Sequence, residues 1–217
     1  MCGIVGVFSD KRQFSKLKIG EMLDSIAHRG PDDEGVVAID TATNQLQKDQ
    51  SNLIFGHRRL SILDLSSLGH QPMPTKNRKI WITYNGEIFN FIEIREKLRK
   101  KGYSFSSNTD TEVILYAYQE YGKNCIKMFR GFFAFCIYDY RKQELFLARD
   151  RLGSKPLKYF FDGNTLAFSS EIQALLKIES INKSIDYQSI SQFLSLKYIP
   201  APNTIFKNIK KLPAGSF

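Results

Sequence analysis

Cysteine is scarce in this 217-residue chain: three residues, an odd number, with no C-x-x-C pair among them. That excludes a disulfide framework and the spacing of a structural zinc site. Histidine is equally scarce. His28, His57 and His70 lie far apart, without H-x-x-x-H or carboxylate-partner spacing, so neither a metal centre nor a Cys–His dyad is indicated. There is no G-x-x-x-x-G-K-[ST] phosphate loop and no G-x-G-x-x-G fingerprint. No apolar run approaches the roughly 20 residues that span a bilayer, and no basic segment leads into an apolar one at the start. A cytoplasmic protein without membrane contact is therefore expected. The formal charge of +9 raises nucleic-acid binding. The lysines are scattered, however, and the densest groups, "EKLRKKG" and "FKNIKKL", lack interleaved aromatics, so solvated faces explain them and no nucleic-acid partner is expected.

A hydrophobic content of 42% and a charged content of 24% fit one large globular domain, or one domain with the start of another. The opening "MCGIVGVF" places a thiol beside the amino terminus, ahead of a strand-like apolar run. Two readings of Cys2 follow. It is a small apolar residue beginning a core strand, or Met1 is removed and Cys2 carries both a thiol and a free α-amine. A thiol of pKa about 8.5 beside an amine of about 7.7–8.0 is nearly matched for proton transfer near neutral pH. An N-terminal residue can so serve as its own general base. Cys125 and Cys136 sit in apolar surroundings and read as core thiols.

Periodicity predicts strands over "GIVGVFS", "EGVVAI", "NLIFGHRRLSIL", "KIWITYNG", "GFFAFCIYDY", "ELFLARD", "LKYFF" and "TLAFSS". Helices are predicted over "SKLKIGEMLDSIAHRG", "EIFNFIEIREKLRKKGY", "SSNTDTEVILYAYQEYG", "SEIQALLKI" and "DYQSISQFLSL". Thr109 or Asp110 is placed to cap the third of these, which ends at Gly122. The pair Asn85-Gly86 falls between a strand and a helical pattern and is expected to form the corner between them. Runs of strands with interspersed helix pairs favour antiparallel sheets covered by helices over a βαβ alternation.

If Cys2 attacks a carbonyl carbon, the site needs oxyanion donors and a substrate anchor. The Asn85 amide and the Gly86 N–H can converge on one point, although an ordinary turn explains the pair as well. In "GHRRLSILD" strand alternation sends Arg58 and Arg59 to opposite faces, so one of them can turn inward as a carboxylate receptor. Asp110 or Glu87 could take an ammonium, unless these charges pair with one another. Arginine, acid, oxyanion donors and nucleophile together describe a receptor for an α-amino acid attacked at its side-chain carbonyl, glutamine or asparagine.

"MCGIVGVF", "HRGPD" at His28 to Asp32, "GHRRLSILDLSSLGHQPM", "YNGEIFN", "NTDTEVIL", "GFFAFCIYD" and "ARDRLGSKPLKYF" occur in an order and spacing that resemble the glutaminase domain of class II glutamine amidotransferases. Within that group the chain is most similar to the N-terminal part of glutamine-hydrolysing asparagine synthetases. The resemblance implies the N-terminal nucleophile hydrolase fold, an α+β class with two stacked antiparallel sheets between helical layers. It implies processed Cys2 as nucleophile with its α-amine as base, and Asn85 and Gly86 as oxyanion hole. Arg59 would grip the glutamine carboxylate, the backbone from Leu60 through Ser61 and Ile62 to Leu63 would line the substrate, and Glu87 with Asp110 would hold its ammonium. Arg29 would contribute at the mouth of the site.

On this pattern residues 1–195 form the glutaminase domain and residues 196–217 lead toward a C-terminal synthetase domain outside this sequence. ATP and magnesium would belong to that domain only, with no cofactor or metal in this one, and a homodimer stays open. The ammonia would convert aspartate to asparagine there; a sugar or other carboxylate acceptor, or a catalytically silent interaction domain, are the alternatives. Phe89 stands where the pattern usually has tyrosine, and Ser154 and Lys158 replace commoner apolar and aromatic residues.

Overall fold

A computed structural model describes residues 1–217. Two antiparallel sheets carry the fold. The larger runs, in spatial order, Ile209–Lys211, Lys158–Phe161, Thr165–Ser169, Gly3–Ser9, Leu53–Arg59, Asp33–Asp40 and Gln45–Leu46. The smaller runs Glu144–Arg149, Gly131–Asp139, Ile80–Ile88 and Met73–Pro74. Within the segment 196–217, Ile209–Lys211 thus adds an edge strand that pairs with Lys158–Phe160.

Three separate apolar cores define the layers. Ile4, Phe55, Trp81, Cys136, Tyr138 and Phe168 fill the space between the sheets. Val5, Val7 and Ile54 turn outward onto Ile19, Met22 and Leu23 of the helix Lys16–Asp24 and onto Ala174 and Leu175 of the helix Ile172–Leu175. Ile80, Ile82, Phe133 and Phe135 meet the helices Phe91–Arg99 and Asp110–Tyr121 through Ile94, Leu98, Val113 and Ile114. Alternate residues of each strand feed opposite cores, as a period of two requires. The result is the expected α+β sandwich of helix, sheet, sheet and helix.

Local chemistry sets the helix starts. Ser15 accepts from the Lys18 N–H at 3.1 Å, and Thr109, rather than Asp110, accepts from the Glu112 N–H at 3.3 Å. That leaves the Asp110 carboxylate free of capping duty. Gly122 closes the helix with a positive φ of 58°.

Several boundaries differ from expectation. Asn85 and Gly86 are not a corner: both lie inside the strand Ile80–Ile88, opposite Ala134 and Phe133, and the helix begins only at Phe91. The long partner Gly131–Asp139 keeps the ladder going, and Asn90 then ends it, its Oδ1 accepting from the Arg130 N–H at 2.9 Å while its Nδ2 donates to the Met128 carbonyl at 2.9 Å. The strand predicted to reach Leu63 stops at Arg59, and "SEIQALLKI" supplies only the single turn Ile172–Leu175.

Candidate active site

Alternation places the polar inner-face residues. Leu53 and Phe55 face the inter-sheet core, so His57 and Arg59 follow on the same face; Trp81 does likewise for Thr83 and Asn85. At one end of the sandwich Cys2, Arg59, Asn85, Gly86, Glu87 and Asp110 line a common cleft. Leu60, Ile62 and Leu63 line it from the loop after Arg59. Ser61 does not; its N–H donates to Asp32 Oδ2 at 2.7 Å.

The hydrogen-bond partners of the Cys2 thiol are both main-chain groups of Leu60. Its Sγ accepts from the Leu60 N–H at 3.4 Å and lies 3.7 Å from the Leu60 carbonyl oxygen. Burial pushes the thiol above its ordinary pKa, opposed by the Leu60 N–H, the terminal ammonium and Arg59. Met1 is half exposed at the mouth, where Lys155 Nζ approaches its sulfur at 3.2 Å.

The two arginines separate as alternation predicts. Arg58 turns outward and pairs with Asp24 and Glu34, each at 2.7 Å. Arg59 is 7% exposed and binds no carboxylate; its guanidinium donates to the carbonyls of Ser66, at 2.9 Å, and Asp64. Gly69 makes room for it, because a β-carbon there would collide with the guanidinium. Asp110, 4% exposed, likewise has no cationic partner: its Oδ2 accepts from the Tyr84 hydroxyl at 2.6 Å and the Ile88 N–H at 2.9 Å. Burial raises its pKa against those two bonds. A buried guanidinium and a buried carboxylate thus face one cleft, each without a counter-ion of its own.

Asn85 and Gly86 present donors. Asn85 Nδ2 is buried without a hydrogen-bond partner, a condition that costs about 1–3 kcal/mol when nothing answers it. Phe133, opposite Gly86, spends both its N–H and its carbonyl on Asp150. Tyr84 and Ile88, two residues to either side, turn their N–H groups to Gln71 Oε1, at 2.8 Å, and Asp110 Oδ2. By the strand period the Gly86 N–H faces that same edge, between them. Only glycine fits there, since a β-carbon would strike the Phe132 carbonyl and lie 2.8 Å from Phe133 Cα.

Tyr84, Gln71, Lys155 and Glu171 escaped the sequence reading. Gln71 acts as a substitute strand, its Nε2 also donating to the Tyr84 carbonyl and to Thr111 Oγ1, both at 3.3 Å; nothing in "GHQPM" signals that. Arg29 lies behind Cys2, its Nε donating to the Cys2 carbonyl at 2.9 Å. The histidines stay apart: His28 meets Glu171, His57 meets Thr83 and His70 meets Asp33. No three His, Cys, Asp or Glu side chains converge as a metal set would. No helix is long and apolar enough to cross a membrane.

Two stacked antiparallel sheets between helical layers, with Cys2, a buried guanidinium and a buried carboxylate lining one cleft, are the fold and the site expected of a glutamine amidotransferase domain. The chain belongs to the glutamine amidotransferase domain family, whose model matches residues 1–217. It is 40% identical to a putative glutamine-hydrolysing asparagine synthetase of Methanocaldococcus jannaschii, covering 99% of this chain and 43% of that protein. It is 36% identical to asparagine synthetase 1 of Bacillus subtilis, covering 100% of this chain and 33% of the relative. The chain therefore spans less than half the length of these relatives. In fold it is similar to glutamine phosphoribosylpyrophosphate amidotransferase from B. subtilis, with a TM-score of 0.68 at 23% identity over 80% of this chain and 43% of that one.

Proposed function

We propose that this domain hydrolyses the side-chain amide of glutamine, and that the observation carrying the reading is the pairing of Arg59 with Asp110 across one cleft. A buried guanidinium fork suits a carboxylate and a buried carboxylate suits an ammonium. An α-amino acid supplies both, and Cys2, lining the same cleft, is the group its side chain would meet in this reading. Glu87, on the same wall, adds a second negative charge on the ammonium side.

In this reading Met1 is removed and the freed α-amine of Cys2 takes the thiol proton as Sγ attacks the glutamine δ-carbon. The oxygen becomes an anion that accepts from Asn85 Nδ2 and the Gly86 N–H. The intermediate collapses with cleavage of the carbon–nitrogen bond, the α-ammonium returns its proton to the departing ammonia, and a γ-glutamyl thioester remains. Water, deprotonated by the same amine, attacks the thioester and releases glutamate and the thiol. The names of the relatives support a further step: ammonia passes to a C-terminal synthetase domain in the same chain, entered through residues 196–217, where ATP and magnesium would serve the conversion of aspartate to asparagine.

Intact mass and glutamate release on wild type and Cys2→Ala test the reading. Loss of the Met1 mass, with release abolished by the substitution, is expected. Glutamate release that persists in Cys2→Ala would overturn it.

A further inference from the structure

The nucleophile sits at a place where chains ordinarily fray. On one side its strand pairs with Leu53–Arg59 out to Gly3, but on the other the ladder with Thr165–Ser169 ends at Val5 opposite Ser169. Beyond that point one main-chain bond and two side chains take over. Ser170 holds Ile4 from both directions: its Oγ accepts from the Ile4 N–H at 3.0 Å and its N–H donates to the Ile4 carbonyl at 2.9 Å. Arg29 Nε holds the Cys2 carbonyl at 2.9 Å.

Residues 169–171 thus form a strap beside the start of the chain, and Arg29 is in turn held by its last residue, Glu171. Its Nη1 donates to Glu171 Oε1 at 2.7 Å, while Nη2 is buried without a partner, so Glu171 is the only anion answering a guanidinium whose side chain is 8% exposed. Glu171 is itself fixed. His28 Nε2 reaches the same Oε1 at 3.1 Å, Gln173 Nε2 donates to Oε2 at 2.9 Å, and Ser169 Oγ accepts from the Glu171 N–H at 3.0 Å while donating to its carbonyl at 2.8 Å. Lys158 Nζ steadies the strap by donating to the Ser170 carbonyl at 2.8 Å.

We infer that Glu171, acting through Arg29, and Ser170, acting on Ile4, are positioning residues that aim the Cys2 thiol and α-amine at the glutamine amide. The inference rests on Cys2 being the nucleophile. None of these groups reaches the glutamine cleft, so their loss leaves the substrate contacts at Arg59 and Asp110 intact. What changes is the direction of attack, and a displacement of about 1 Å at a reacting atom can cost a hundredfold in rate.

The test compares wild type, Glu171→Ala, Glu171→Gln, Ser170→Ala and Cys2→Ala in glutamate release, with the unfolding midpoint recorded for each and the rate of Cys2 alkylation by iodoacetamide for those that keep Cys2. Cys2→Ala reports on the nucleophile alone, so failure of that reading is seen separately. Glu171→Ala is expected to lower kcat by about ten- to a hundredfold with KM for glutamine within about twofold. Glu171→Gln, which keeps an acceptor for Arg29, should recover part of the loss, and Ser170→Ala, the mildest change, should lower kcat and the alkylation rate without unfolding the protein. If Cys2→Ala is inactive while Glu171→Ala and Ser170→Ala retain wild-type kcat and alkylation rate, the inference is wrong. A loss appearing in KM alone, or matched in full by loss of folded protein, overturns it as well.

Discussion

At the scale of single residues the cleft is built from groups that the folded protein leaves unanswered. Asn85 Nδ2 is buried and unpaired, and an orphan donor persists only where something else requires it. Asn85→Ala is therefore expected to lower kcat by about 10²–10³-fold with a small change in KM, while thermal stability holds or rises. Steady-state kinetics beside a melting curve checks both halves, and a large rise in KM with kcat intact would remove Asn85 from the oxyanion site. Gly69 leads to the opposite split. The atoms its β-carbon would strike hardest are the end of the flexible Arg59 side chain, with the Asp64 carbonyl oxygen farther off at 3.2 Å, so Gly69→Ala should move the guanidinium instead of unfolding the loop. The expected outcome is KM for glutamine raised about tenfold or more, as for loss of a charge-assisted bond, with kcat much less affected.

The residue chemistry was more legible in the sequence than the elements bearing it. Cys2 was conspicuous by position, and alternation alone implied that Arg58 and Arg59 part company, which their contacts confirm. Asn85-Gly86 misled because the pair is a turn signal by local propensity, whereas Gly131–Asp139 supplies a ladder that local propensity cannot see. Gln71 and Glu171 were invisible for a related reason: each acts on a main-chain or buried group brought near by folding, 13 residues away for Gln71 and 142 for Glu171. The strand also makes its own prediction. At Gly86 the obstacle to a β-carbon is the backbone of Phe132 and Phe133, which cannot swing aside as a side chain can. Gly86→Ala should then force the strands Ile80–Ile88 and Gly131–Asp139 apart, costing about 1–3 kcal/mol of stability as well as activity. Denaturant unfolding distinguishes this from Asn85→Ala, which should lose activity alone.

Across the whole molecule the layer between the sheets changes character from one end to the other. Phe55 gives way to His57 and then Arg59 along one strand, and Trp81 to Thr83 and then Asn85 along its counterpart, so burial continues while polarity rises toward the cleft. His57 sits at the transition. It is fully buried, its Nδ1 lies 3.3 Å from Thr83 Oγ1, its Nε2 has no partner, and burial with the nearby Arg59 charge pushes its pKa down to about 3. In the unfolded chain the same imidazole titrates near 6.5. Between those values the unfolded state binds a proton that the folded state refuses, so stability is full above about pH 6.5 and falls as the pH drops. For this one group the loss between pH 7 and pH 5 is on the order of 2 kcal/mol, approaching 1.4 kcal/mol per further unit. His57→Gln keeps a polar side chain toward Thr83 but cannot titrate, so its unfolding free energy should vary less with pH over that interval. Denaturant titrations of both proteins at pH 7, 6 and 5 decide the matter: parallel slopes would mean that His57 takes up its proton in the folded state as it does in the unfolded one.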